Sequence, residues 1–204
     1  TWPALNPFRT LADLLPTLDR PYPDRLGAWP SVAGLLLLVW LEITMPLADD
    51  ARLLASILGI YTVVTLAGTV AFGSDRWFES VDPLSRAFRL YGRVAPLGVE
   101  DGRLRLRLPG GALPATPLRG RDDVAFVVTL LFVTTYDGFV ATGPWAAGVR
   151  TVVGAGVPPG IAYLGAYLVG AALFYLAYRT AARLGRRRAD TYRSATELAR
   201  RFAP

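Results

Sequence analysis

Between Leu53 and Phe72 the chain runs for twenty residues without one charged side chain. At about 1.5 Å of rise per residue, a helix of that length matches the roughly 30 Å hydrocarbon core of a bilayer. Comparable apolar runs cover Ala28 to Ala48, Val124 to Thr142 and Gly160 to Tyr178. With 52% hydrophobic and 19% charged residues among 204, the chain is counted in spans rather than globular domains. The expected fold is an all-α integral membrane protein with four transmembrane helices, multi-pass in the cell membrane.

All basic residues are Arg, and the net charge is +6. Their distribution sets the expected orientation. The segment before the first run has three Arg, the loop between the second and third runs nine, and the tail eight; the two remaining loops have one each, Arg52 and Arg150. Under the positive-inside rule both termini and the central loop are cytoplasmic.

The organisation follows. Residues 1–27 form a cytoplasmic segment in which Asn6 and Pro7 start a short surface helix that Pro16 ends. Residues 28–73 form a transmembrane hairpin, entered through the interfacial Trp29 and turning at Asp49–Arg52; Ala55, Gly59, Val63, Ala67 and Ala71 make a packing seam. Residues 74–121 are a basic loop. In it Asp82 and Pro83 open an amphipathic helix with Leu84, Ala87, Phe88 and Tyr91 on one face, and Arg86, Arg89 and Arg93 are placed to contact lipid headgroups. Asp101-Gly102 and the alternation Arg103 to Leu108 predict a small β-hairpin. Residues 122–178 hold the third and fourth spans, joined by an irregular Gly/Pro-rich loop after the stop Gly143-Pro144-Trp145, with Ala162, Ala166 and Gly170 as a second seam. Residues 179–204 are a basic tail in which Tyr192, Ala195, Leu198, Ala199 and Phe202 suggest a surface helix or the approach to a further span; with Thr1 at the start, the chain reads as a trimmed piece.

The chain has neither Cys nor His, which removes the commonest nucleophile, general base and transition-metal ligands. No metal site and no cofactor are expected, and no Walker, Rossmann or nucleophile-elbow motif is present. The basic strand lacks interleaved aromatics, so nucleic acid is not expected as a partner. The expected partners are the bilayer with its anionic headgroups, and further transmembrane helices of the same chain or a homo-oligomer. Carboxylates inside spans are costly and mark candidate sites. Glu42 and Asp137 each fall roughly 15 to 20 Å above the cytoplasmic end of their helices. At a common depth they would form an intramembrane polar site, with Tyr136 and Thr134 supplying oxygen ligands or hydrogen bonds.

The set Asn6-Pro7-Phe8, Asp24-Arg25-Leu26-Gly27 with Trp29-Pro30, Trp40-Leu41-Glu42, Phe72-Gly73, Gly92-Arg93-Val94-Ala95-Pro96 and Asp137-Gly138-Phe139 resembles a family of bacterial and archaeal polytopic membrane proteins, some members of which carry the description fenitrothion hydrolase. The resemblance implies a longer chain with more spans and hydrolysis of an organophosphate ester at the membrane. It transfers no catalytic residue, because a metal-activated water needs His or clustered carboxylates. Three functions follow: a solute- or cation-handling protein using the intramembrane carboxylates, a membrane-bound hydrolase whose catalytic residues lie elsewhere, or a structural subunit in which the acids fix helix packing.

Overall fold

A computed structural model of the chain describes residues 2–100, 103–106, 108–110, 118, 120–188 and 194–203. Helix predominates among them, and three helices are long and apolar enough to cross a membrane. The chain divides into two compact units, Thr1–Phe126 and Val127–Ala203.

The first unit opens with α1 (Trp2–Leu5) and α2 (Pro7–Ala12). The Asn6 side chain accepts the amides of Phe8 and Arg9 at 3.0 and 3.4 Å, as a cap before proline should. Residues 18–20 then run beside the end of α4 (Ala51–Phe72): the amides of Leu18 and Arg20 donate to the carbonyls of Val70 and Ala71 at 2.7 and 2.9 Å. Those carbonyls would otherwise be orphaned at a helix end.

Helix α3 (Trp29–Thr44) has 16 residues and stops earlier than its apolar run. Pro46 is the reason. The residue before a proline is pushed out of the helical region, and Met45 is extended at φ −115° and ψ 144°. Helix α4 has 22 residues and is capped by Asp50, which accepts the amides of Arg52 and Leu53.

One expectation about a packing face is corrected. The seam Ala55-Gly59-Val63-Ala67 is exposed; α4 instead buries Thr65, Gly68 and Thr69. Gly68 decides this, since a Cβ there would drive into the Trp77 indole. Trp77 begins a π turn, Trp77–Val81, which follows α5 (Ser74–Arg76) and against which α3 and α4 both pack. Helix α6 (Pro83–Val94) begins at Asp82 as expected, and Leu84, Phe88, Tyr91 and Val94 face outward, as an interface helix allows; Ala87 of the expected face is instead buried with Pro83 and Ser85. Phe88 of that stripe gains an aromatic partner within the N-terminal segment, stacking on Trp2 at 4.1 Å. Strands β1 (Leu97–Glu100) and β2 (Arg103–Leu106) pair antiparallel with Leu97 opposite Leu106. The turn Asp101-Gly102 and Arg107 lie outside the described residues.

The second unit contains most of α7 (Arg121–Val140), then α8 (Gly143–Gly154), α9 (Pro159–Arg188) and α10 (Ala195–Phe202). Helix α8 replaces the irregular loop that the Gly and Pro content suggests. Pro144 lies in its first turn, where an amide is not needed, and so starts a helix instead of stopping one. The seam of α9 packs as expected at Ala162 and Gly170, where a Cβ would sit 3.1 Å from the Phe132 ring. Phe132 also meets Tyr136, Tyr167 and Phe174 with centroids 5.2, 5.5 and 5.9 Å away. Ser194 caps α10 by accepting the Glu197 amide at 3.1 Å, and Tyr192 lies outside the described residues.

Replacing Gly68 by Leu is expected to cost about 1–3 kcal/mol through overpacking against Trp77. Thermal unfolding in detergent should show it, and the double variant Gly68→Leu/Trp77→Ala should lose less than the sum of the single losses.

Candidate functional site

The Asp-Pro start of α6 carries the most connected polar group of the first unit. An N-cap aspartate is ordinarily wet, but Asp82 is only 1% exposed. Its Oδ1 accepts the Leu84 amide at 3.1 Å, as a cap does, and also the Tyr61 hydroxyl at 2.6 Å. Its Oδ2 accepts the Ser85 hydroxyl at 2.7 Å. Ser85 Oγ in turn receives the Asn6 side-chain amide at 2.9 Å and the Trp2 indole N–H at 3.2 Å. One carboxylate thereby joins α4, α6 and the N-terminal segment. No Arg forms an ion pair with it among the described residues, so hydrogen bonds alone offset the cost of burying it.

A cleft of about 260 Å³ lies directly over this carboxylate. Leu38 and Leu41 of α3 form one wall, Ile57 and Val64 of α4 the other, and Trp77 and Asp82 contribute from the connecting segment. The indole Nε1 of Trp77 is buried and has no acceptor among the described residues. A buried donor left unsatisfied costs about 1–3 kcal/mol. The cleft is almost wholly apolar and thus suits a lipophilic body, with Tyr61 and Asp82 among its lining residues.

The three Arg of α6 are placed differently from one another. Arg86 donates to the Glu79 carbonyl at 2.5 Å, pairs with Asp123 at 2.6 Å and lies 5.0 Å over the Phe126 ring. Arg89 donates to the Phe78 carbonyl at 2.9 Å, and burial lowers its pKa below the ordinary arginine value. Both guanidinium groups therefore serve carbonyls of the π turn. Arg93 also has an interaction within the protein. The neighbouring Asp122 accepts the Ala28 amide at 2.6 Å, holding the start of α3. Gly27, at φ +45°, lets the carboxylate come that close, since a Cβ would meet its oxygen.

The predicted intramembrane carboxylates belong to different units. Glu42 is exposed in the last turn of α3, and Asp137 is exposed on α7. Thr134 is also exposed and hydrogen-bonds to its own helix, at the Leu131 carbonyl. Tyr136 is buried between the rings of Phe132, Trp145 and Tyr167. Among the described residues no group of three carboxylates comes together to hold a metal ion. No family model matches the chain, and no curated protein or solved structure is detectably similar to it.

Sequence reasoning reads Asp82 only as a helix cap. Its burial depends on Tyr61, twenty-one positions earlier, which no local pattern connects to it. The one available signal was the recurrence of hydroxyl-bearing Tyr61, Thr65 and Thr69 every four positions on one face of a span that also holds Ser56 and Thr62. Replacing Asp82 by Ala should cost about 3 kcal/mol, from the lost cap and the unpaired Tyr61 hydroxyl. Asp82→Asn, which keeps the one oxygen shared by Tyr61 and Leu84 and loses the acceptor for the Ser85 hydroxyl, should cost about half as much in the same thermal measurement.

Proposed function

We propose that this chain is a four-span protein of the cell membrane, with both termini cytoplasmic, that handles a lipophilic solute in the cleft between α3 and α4. Three helices of spanning length support the membrane reading. Helix α3 is counted as the fourth span: its 16 residues, beginning at the interfacial Trp29, extend about 24 Å, and the Met45–Leu47 segment completes the crossing. The asymmetric Arg content of the loops supports the orientation.

The observation that supports the functional reading is the apolar cleft whose lining includes Trp77, an indole with no acceptor for its N–H among the described residues, and the buried Asp82. Binding sites of this kind are mainly apolar and use a few placed polar groups for orientation. A neutral ester with a hydrocarbon or aromatic body fits that chemistry, and esters of the type implied by the family resemblance fall within the class. The reading stops at binding and passage. Glu42 directly follows Leu41 of the cleft wall, with its side chain turned outward. Asp137 has no part in this reading.

The test uses Trp77 as reporter, with Trp2, Trp29, Trp40 and Trp145 replaced by Phe. A dibrominated medium-chain alkyl ester should quench its fluorescence saturably in detergent. Filling the cleft by Leu38→Phe and Ile57→Phe should weaken the apparent affinity at least roughly fivefold, equivalent to about 1 kcal/mol. Equal quenching after filling would refute a cleft site. Equal quenching by the brominated alkane lacking the ester would refute recognition of an acceptor.

A further inference from the structure

Helix α9 is too long for the bilayer alone. Its 30 residues extend about 45 Å, against a hydrocarbon core of about 30 Å. The apolar part, Pro159 to Tyr178, accounts for the core, so the helix continues without a break into the headgroup layer and beyond. The continuing part holds Arg179, Arg183, Arg186, Arg187 and Arg188 and no acid.

Helix α10 folds back on one side of this extension. The Tyr178 hydroxyl donates to the Ala199 carbonyl at 2.9 Å, Leu198 lies against Gly185, and Ala182 is buried at 4% exposure. Gly185 and Ala182 are the small residues that let the two helices approach. Arg183, Arg186 and Arg187 remain exposed, and none forms an ion pair among the described residues. Positions 183, 186 and 187 are related by i, i+3 and i+4, so the three guanidinium groups share one helix face. Docking of α10 makes the face persistent, because it fixes the extension as a helix instead of leaving a frayed basic tail.

We propose that Arg183, Arg186 and Arg187 form a binding site for the phosphate of an anionic lipid headgroup. Guanidinium forks match phosphate oxygens in paired hydrogen bonds, and three converging cations favour a headgroup with net negative charge over a zwitterionic one. The source is the membrane and not a soluble phosphate, because the cluster begins within two turns of the last apolar residue of a spanning helix, at the depth where headgroups lie. The site is independent of the α3–α4 cleft and stands or falls separately.

The experiment is lipid retention by the purified chain, read by native mass spectrometry after incubation in detergent with phosphatidylglycerol or phosphatidylcholine. The intact protein should retain phosphatidylglycerol at least roughly tenfold better, and the triple variant Arg183→Gln/Arg186→Gln/Arg187→Gln should fall to within about twofold. The triple Lys variant should keep a reduced preference, since it keeps charge and loses the fork geometry. Circular dichroism of the Gln variant checks that α9 is still helical. An unchanged preference in that folded variant would overturn the assignment, as would displacement of the lipid by millimolar inorganic phosphate, which would indicate a general anion site.

Discussion

A carboxylate inside a protein of this kind is stable only if its oxygen atoms find donors, and the first unit is arranged around meeting that requirement at Asp82. Tyr61 reaches it from α4, Ser85 and the Leu84 amide from α6, and Ser85 passes the connection on to Asn6 and Trp2. Because the donors come from α4 and α6, and Ser85 extends the network to the N-terminal segment, satisfying one charge fixes the mutual placement of three elements. The cleft above is a consequence: α3 and α4 rest on the π turn that ends at Asp82, and the volume between them opens over it. A polar network in which every member is bonded specifies one arrangement, because any slip leaves a buried group unpaired.

The same logic turns arginines of helix α6 inward, away from the headgroups they were expected to contact. Its guanidinium groups turn toward the π turn, where Glu79 and Phe78 carbonyls need donors, and toward Asp123. The apolar stripe Leu84, Phe88, Tyr91 and Val94 is then left on the outside. In water that would be a poor exchange. At a bilayer surface an outward apolar stripe has somewhere to go, and inward arginines cover backbone groups that lipid cannot hydrogen-bond. Arg suits this work better than a point-charge cation, because a planar fork can serve a carbonyl and a carboxylate at once, as Arg86 does.

In the second unit, shape rather than charge sets the packing. Phe132, Tyr136, Tyr167 and Phe174 interlock along α7 and α9, and Gly170 provides the space. Rings gain contact area at small entropic cost, and small residues bring helix axes close where no hydrophobic effect drives association.

Features that depend on neighbours in the chain were legible in the sequence. The apolar runs of α4, α7 and α9 determined three helices of spanning length, and Asn6-Pro7 and Asp82-Pro83 marked two helix starts, because length, hydropathy and capping act locally. Pro46 sets the end of α3 by the same local rule. The tertiary structure alone decided which faces pack. Gly68 and not the Ala55–Ala67 seam became the contact of α4, because only there does the Trp77 ring require the space of a missing side chain. It also decided that the buried acid of the first unit is Asp82 and not a residue inside an apolar run. The cost of burying a charge depends on which donors arrive from elsewhere in the chain, and periodicity does not encode that.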